Sequence, residues 1–166
     1  KIIAKSKELK ISPKEVAEKY IKAFFEDMDR LGVRRADVHP RATQDMKEII
    51  KLINNLIDRN AAYELNGSVY FDVSFSKDYG KLSRRNPNDL IEGNRIENEP
   101  DKKSSGDFAL WKHAEKNETH WESPWGKGRP GWHIECSAMV KKHLGESIDI
   151  HGGGLDLIFP HHENEI

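Results

Sequence analysis

The sequence predicts an α/β fold, and three observations carry that reading. Apolar residues recur with a helical period through 12–32. The period changes to that of strands at 61–73, around an Asn66-Gly67 pair. Residues 129–166 then read as helix, strand, glycine-rich turn and helix. That last order is the grammar of an open α/β sheet, in which ligands sit beyond the carboxyl ends of the strands.

The first helix has a clear start. Ser12 caps, Pro13 suits the first helical position, and Glu15 completes a capping box. Val16, Tyr20, Phe24 and Met28 repeat every fourth residue, Ile21, Phe25 and Leu31 widen the stripe, and Gly32 ends it. This spacing reads as core packing. A second helix is expected from about Thr43, with Gln44 and Asp45 in its first turn and Asn60 as its end. Its apolar face is Met46, Ile49, Ile50, Ile53, Leu56 and Ile57. "AAYELNGSVYFDV" reads as two strands joined by the tight turn that Asn-Gly favours. Residues 81–106 are charged and poor in aromatics, and read as an exposed loop. "DFALWK" follows as a strand, and "RPGWHIECSAMVKKHLG" as a loop entering a helix that runs to about Leu144. "IDIHGGG" reads as a buried strand ending in glycines, and "FPHHENEI" as a helix opening behind Pro160.

Composition narrows the function classes. A formal net charge of −1 over 166 residues offers no global basic field for nucleic acid. A single cysteine, Cys136, excludes an internal disulfide and fits a reducing compartment. No apolar stretch approaches the roughly 20 residues of a membrane helix, and the sequence reads as one without a secretory leader. The chain begins at Lys1 and ends at Ile166 inside a predicted helix, which reads as a piece of a longer protein.

Reactive residue types crowd the C-terminal part. All four tryptophans lie between Leu110 and His133, and five of the eight histidines follow Pro130, as does the cysteine. His161 and Glu165, four apart, share one helix face. Cys136 sits in another helix that can reach the same cleft. Cysteine, histidine and glutamate are competent zinc ligands, although a lone His/Glu pair is more often a surface ion pair and a lone cysteine is more often buried filler. Three ligands are one short of a closed tetrahedral site. Glycines 152–154 allow close approach of a ligand and equally suit a plain tight turn; they do not match G-x-G-x-x-G.

Taken together, "GRPGWHIECSAM" and "DIHGGGLDLIFPHHENEI" resemble the signature segments of the cysteinyl-tRNA synthetases, a family of class I aminoacyl-tRNA synthetases. "ISPKEVAEKYIKAFFEDMDRLGV", "HPRAT", "YGKLS", "DFALWK" and "SPWGKGRPGW" resemble the same family in the same order, across essentially the whole chain.

That resemblance implies part of a Rossmann-type catalytic domain with an inserted α+β connective-peptide region. Residues 1–40 would end the first half of the domain, 41–120 would be insertion, and 121–166 would begin the second half. It implies ATP, used with Mg2+, as a substrate alongside cysteine and tRNA(Cys), in a cytoplasmic, monomeric parent enzyme. It also implies one zinc per parent chain. Matching motifs places three of its ligands at Cys136, His161 and Glu165, with a fourth cysteine expected before Lys1. Trp132 and His133 fall where the family lines its amino-acid pocket, and His151, Gly153 and Asp156 where it receives ATP; Asp156 can serve ribose or the substrate amino group. His162 stays outside the zinc set. No catalytic residue is assigned, because both class I signatures would lie outside the chain, which is expected to be inactive alone. The rival readings are a related cysteine ligase of the mycothiol pathway and an isolated metal-binding or interaction fragment.

Overall fold

The computed structural model describes residues 2–84, 101–116 and 118–166; of the loop expected at 81–106, residues 85–100 therefore lie outside the described residues. The chain divides into two compact units, Lys1–His39 and Pro40–Ile166. Among the described residues, no helix is long and apolar enough to cross a membrane.

The first unit is a helical pair, α1 (Ile2–Leu9) and α2 (Pro13–Arg30). The capping box forms as its sequence demands. Ser12 Oγ accepts from the Glu15 backbone N–H at 3.2 Å, and the Glu15 carboxylate accepts from the Ser12 N–H at 2.8 Å. Beyond the helix end, Arg35 grips Asp29 with two nitrogens and covers the Phe25 ring at 4.5 Å. The stripe on α2 is not the core its period suggests. Val16 is buried, but Tyr20 and Phe24 are about half exposed, at 50% and 52%. The physical reason is supply: the short α1 contributes no buried residue of its own, so it cannot cover a stripe that runs the length of α2.

The second unit is mixed α/β. A short helical turn at Ala42–Gln44 precedes α3 (Met46–Asp58), which therefore begins three residues after the expected Thr43. Asp45 ends up buried at its start, bonded to Lys142. Four strands follow: β1 (Ala62–Leu65), β2 (Ser68–Phe71), β3 (Phe108–His113) and β4 (Gly128–Pro130). They form one antiparallel sheet in chain order. Asn66 and Gly67 take φ values of 53° and 76°, the left-handed pair that closes a two-residue hairpin.

Helix α4 (Trp132–Leu144) returns across the sheet and packs on α3. Ile49, Ile53, Val69, Leu110, Trp111, Ile134 and Ala138 form the shared core, with Met46, Ala62 and Trp125 at its margin. Asp107, buried beside this core, draws in the Tyr63 hydroxyl at 2.7 Å and the backbone N–H groups of Val73 and Ser104 at 3.0 Å each. These bonds tie the connection between β2 and β3 down onto the hairpin.

The strand expected at "IDIHGGG" does not form. Residues 147–154 run without regular structure, and Ile150 is 87% exposed. A buried parallel strand needs neighbouring strands for its N–H and C=O groups, and among the described residues none lies beside this segment. Among the described residues the sheet of this mixed α/β unit is antiparallel, and the strand that the helix–strand–helix order suggested does not join it. "FPHHENEI" is helical behind Pro160. Its first part, Ile158–His162, is interrupted at Phe159, and it continues as α5 (Glu163–Glu165).

Candidate metal and thiol-recognition site

The site is built where the start of α4 meets α5. Gly131 precedes α4, and its N–H donates to the Leu110 carbonyl at 2.8 Å. A Cβ at Gly131 would stand 1.9 Å from the Ala109 carbonyl oxygen. Only glycine permits this approach, so α4 starts pressed against β3 and delivers Trp132, His133 and Cys136 to the rim of the sheet. From the other side, α5 and the turn before it present His161 and Glu165, one helical turn apart.

The sequence-expected ligand residues come together. Atoms able to bind a metal on Cys136, His161 and Glu165 all lie within 4.8 Å of one another. Cys136 Sγ is 3.9 Å from His161 Nε2, and His161 Nε2 is 2.8 Å from Glu165 Oε1. His161 is buried, and the Glu165 side chain is only 3% exposed. Its second oxygen, Oε2, is buried without a well-aligned hydrogen bond, though His151 Nε2 lies 2.9 Å away. A buried carboxylate oxygen left this way is costly unless something else engages it.

This donor set suits zinc. Bonds of about 2.0–2.3 Å to nitrogen, oxygen and sulfur place ligand atoms on one ion roughly 3–4 Å apart. Burial, and then the Glu165 carboxylate, push the Cys136 thiol up to about 12, so without a cation it stays protonated at neutral pH.

Two aromatic neighbours fix His161. Trp132 is 55% exposed, so it is not core; its ring stacks on His161 at 4.0 Å with planes 19° apart. His133 Nδ1 lies 2.9 Å from His161 Nδ1. Burial pushes His133 down to about 4, with the positive fields of His161 and Lys112 adding to the effect. Burial also lowers His161, against the pull of Glu165. Two neutral imidazoles facing Nδ1 to Nδ1 share one proton. With a cation on His161 Nε2, that proton would sit on His161 Nδ1, and His133 would accept it.

The remaining expected residues lie along the glycine segment. His151 reaches Glu165, whereas Asp156 is exposed in the short turn Leu155–Leu157. A Cβ on Gly153 would meet the His162 ring at 2.3 Å, so the glycine there makes room for the imidazole. His151, His162 and Glu165 form a second group with ligand atoms within 4.8 Å, and Glu165 belongs to both groups. His162 is half-buried beside His161, with ring centroids 5.7 Å apart.

Sequence reasoning missed Glu163. It is buried, and its carboxylate accepts from the backbone N–H groups of Gly80 at 2.9 Å and Ser83 at 2.7 Å. Burial alone would raise its pKa, but these amides outweigh burial and hold it below the ordinary carboxylate range. Its only sequence signal is a second glutamate in the same "HHENE" run.

In this α/β unit a thiol, an imidazole and a carboxylate converge beside stacked aromatic rings. The model of the class I (C) tRNA synthetase catalytic domain matches residues 1–166, and the chain belongs to that family. It is 57% identical over 166 residues to the cysteine–tRNA ligase of Carboxydothermus hydrogenoformans and 57% identical over the same length to that of Desulforamulus reducens. The cysteine–tRNA ligase of Clostridioides difficile is 56% identical over 166 residues. Each match covers all of this chain but only 36%, 34% and 36% of the relative, respectively. The chain thus spans about a third of the length of these curated relatives.

Proposed function

We propose that this chain is the part of a cysteine–tRNA ligase that recognises the cysteine side chain. The parent reaction joins cysteine and ATP to give cysteinyl-adenylate and pyrophosphate, then moves the cysteinyl group to the terminal adenosine of tRNA(Cys). The observation that carries this reading is the convergence of Cys136, His161 and Glu165 beneath the Trp132 ring.

Those three side chains would hold a zinc ion. When bound, zinc supplies a soft Lewis acid that prefers a thiolate to a neutral hydroxyl and lowers the thiol pKa. The chain's own residues do the rest. With Nε2 given to the cation, His161 Nδ1–H would donate to His133 Nδ1, 2.9 Å away. Trp132 walls the side of the pocket and keeps the His161 ring in plane. Glu165 brings a carboxylate to the site, with His151 Nε2 2.9 Å from its buried second oxygen. His151, Gly153 and Asp156 form the face offered to ATP and its Mg2+, with Asp156 exposed to accept from hydroxyl or ammonium groups. In the same reading, 1–40 closes the first half of the catalytic domain, 41–120 is the insertion and 121–166 opens the second half, in a monomeric cytoplasmic enzyme.

Size alone separates cysteine from serine poorly, by roughly 10–200-fold for a methylene-scale difference. Cysteine-dependent pyrophosphate exchange and tRNA(Cys) charging, measured on the full-length protein, test the proposal. The expected result is activity with cysteine and a preference over serine beyond about 200-fold. Equal exchange with serine, or none with cysteine, overturns it.

A further inference from the structure

Glu163 makes a connection that thiol recognition by itself does not require. Its carboxylate, 6% exposed, receives two backbone N–H groups from residues about 80 positions earlier, Gly80 and Ser83. In the same loop the Tyr79 hydroxyl donates to Asn164 Oδ1 at 2.5 Å. Residues 79–83 therefore grip both Glu163 and Asn164, two of the three residues between His161 and Glu165. The loop also reaches the site from behind. The Tyr79 ring stacks on Phe108 at 6.4 Å, and Phe108 meets His133 edge-on at 5.5 Å, the residue bonded to His161.

A buried carboxylate is expensive to desolvate, and charge-assisted bonds to amides offset that cost only when their geometry is held. A plain surface loop could be anchored by neutral side chains. A buried anchor that takes two backbone N–H groups, placed two residues from each of two candidate ligands, does more, because it fixes the rise and rotation of the turn that spaces them. Sites of this kind need their groups held within about 0.5 Å.

Resting on the function proposed above, we infer that Glu163 is a positioning residue: it clamps residues 79–83 against the turn bearing His161 and Glu165, and so sets the spacing on which cation binding and cysteine selection depend. The alternative is a tie that merely stabilises the loop. A tie of that sort lowers the melting temperature and leaves metal affinity and cysteine KM in the folded protein unchanged.

The test uses the full-length protein with Glu163→Gln, and Tyr79→Phe as a milder variant from the loop side. Zinc affinity is read by chelator competition, cysteine KM and kcat by pyrophosphate exchange, and folding by thermal melting. For Glu163→Gln the expected result is zinc binding weaker by about 10–100-fold, the range for residues that orient ligands. Cysteine KM rises with it, and kcat changes much less. Tyr79→Phe moves zinc affinity and KM the same way by a smaller factor, and it decides the matter if Glu163→Gln does not fold. A folded variant with wild-type zinc affinity and KM overturns the inference alone. A wild-type protein that binds no zinc overturns the functional reading and this inference with it.

Discussion

His133 Nδ1 lies 2.9 Å from His161 Nδ1, so the ring nitrogen of His161 that faces away from Cys136 and Glu165 already has a partner. With a cation on His161 Nε2, this pairing gives the remaining ring proton an acceptor in His133. Removing the acceptor while keeping an aromatic ring against Phe108 isolates the effect. His133→Phe in the full-length protein is expected to weaken zinc binding by about 10–100-fold with little loss of melting temperature. Chelator competition checks it, and unchanged affinity would show that His161 needs no such partner.

Gly131→Ala tests how α4 is seated. The added methyl would collide with a backbone carbonyl, which cannot swing aside as a side-chain tip can. Overpacking of this kind costs about 1–3 kcal/mol. Denaturant unfolding should show at least that loss, whereas Gly32→Ala, with open space around its Cβ, meets no such clash and strains only the backbone.

Asp45 and Lys142 give a pH signature. The Lys142 bond, and more weakly His143, hold the Asp45 carboxyl below its ordinary value of 3.8 despite burial. Because the folded value is depressed, the stabilisation is fully present above about pH 4 and is lost as pH falls through the folded value. Lys142 is 39% exposed, so solvent screening reduces the contribution to about 1–2 kcal/mol. Asp45→Asn should therefore lower stability at pH 7, and its difference from wild type should shrink below pH 4. A difference that stays constant down to pH 3 would remove the ion pair as the cause.

Asp107→Ala probes the anchored β2–β3 connection. It strands the Tyr63 hydroxyl and two backbone N–H groups that now share one buried carboxylate. Leaving buried donors unpaired costs about 1–3 kcal/mol each, less where water enters. Thermal melting should register one of the larger single-residue losses in the second unit.

What the sequence could show was local. The capping box at Ser12, the Asn66-Gly67 turn and the α4 boundaries follow from residues a few positions apart. So does the His161/Glu165 spacing, since residues four apart must share a helix face. The rest depends on distant partners. Period alone placed Phe24 in a core that the short α1 cannot provide. The helix–strand–helix order likewise placed a strand in 148–154, where among the described residues no neighbouring strand receives it. The Glu163 anchor lies about 80 residues from Gly80 and Ser83, and no periodicity connects them. Likewise, the close fit at Gly131 is visible only once Ala109 is seen opposite it.

The central claim is that Cys136, His161 and Glu165 hold a zinc that reads the substrate thiol. Zinc content of the purified full-length protein, measured beside Cys136→Ser and Glu165→Ala, tests it most directly. One zinc per chain in the wild type, lost or strongly weakened in both variants together with the preference for cysteine over serine, is the expected result. A wild type without zinc, or variants that keep both the metal and the preference, would contradict it.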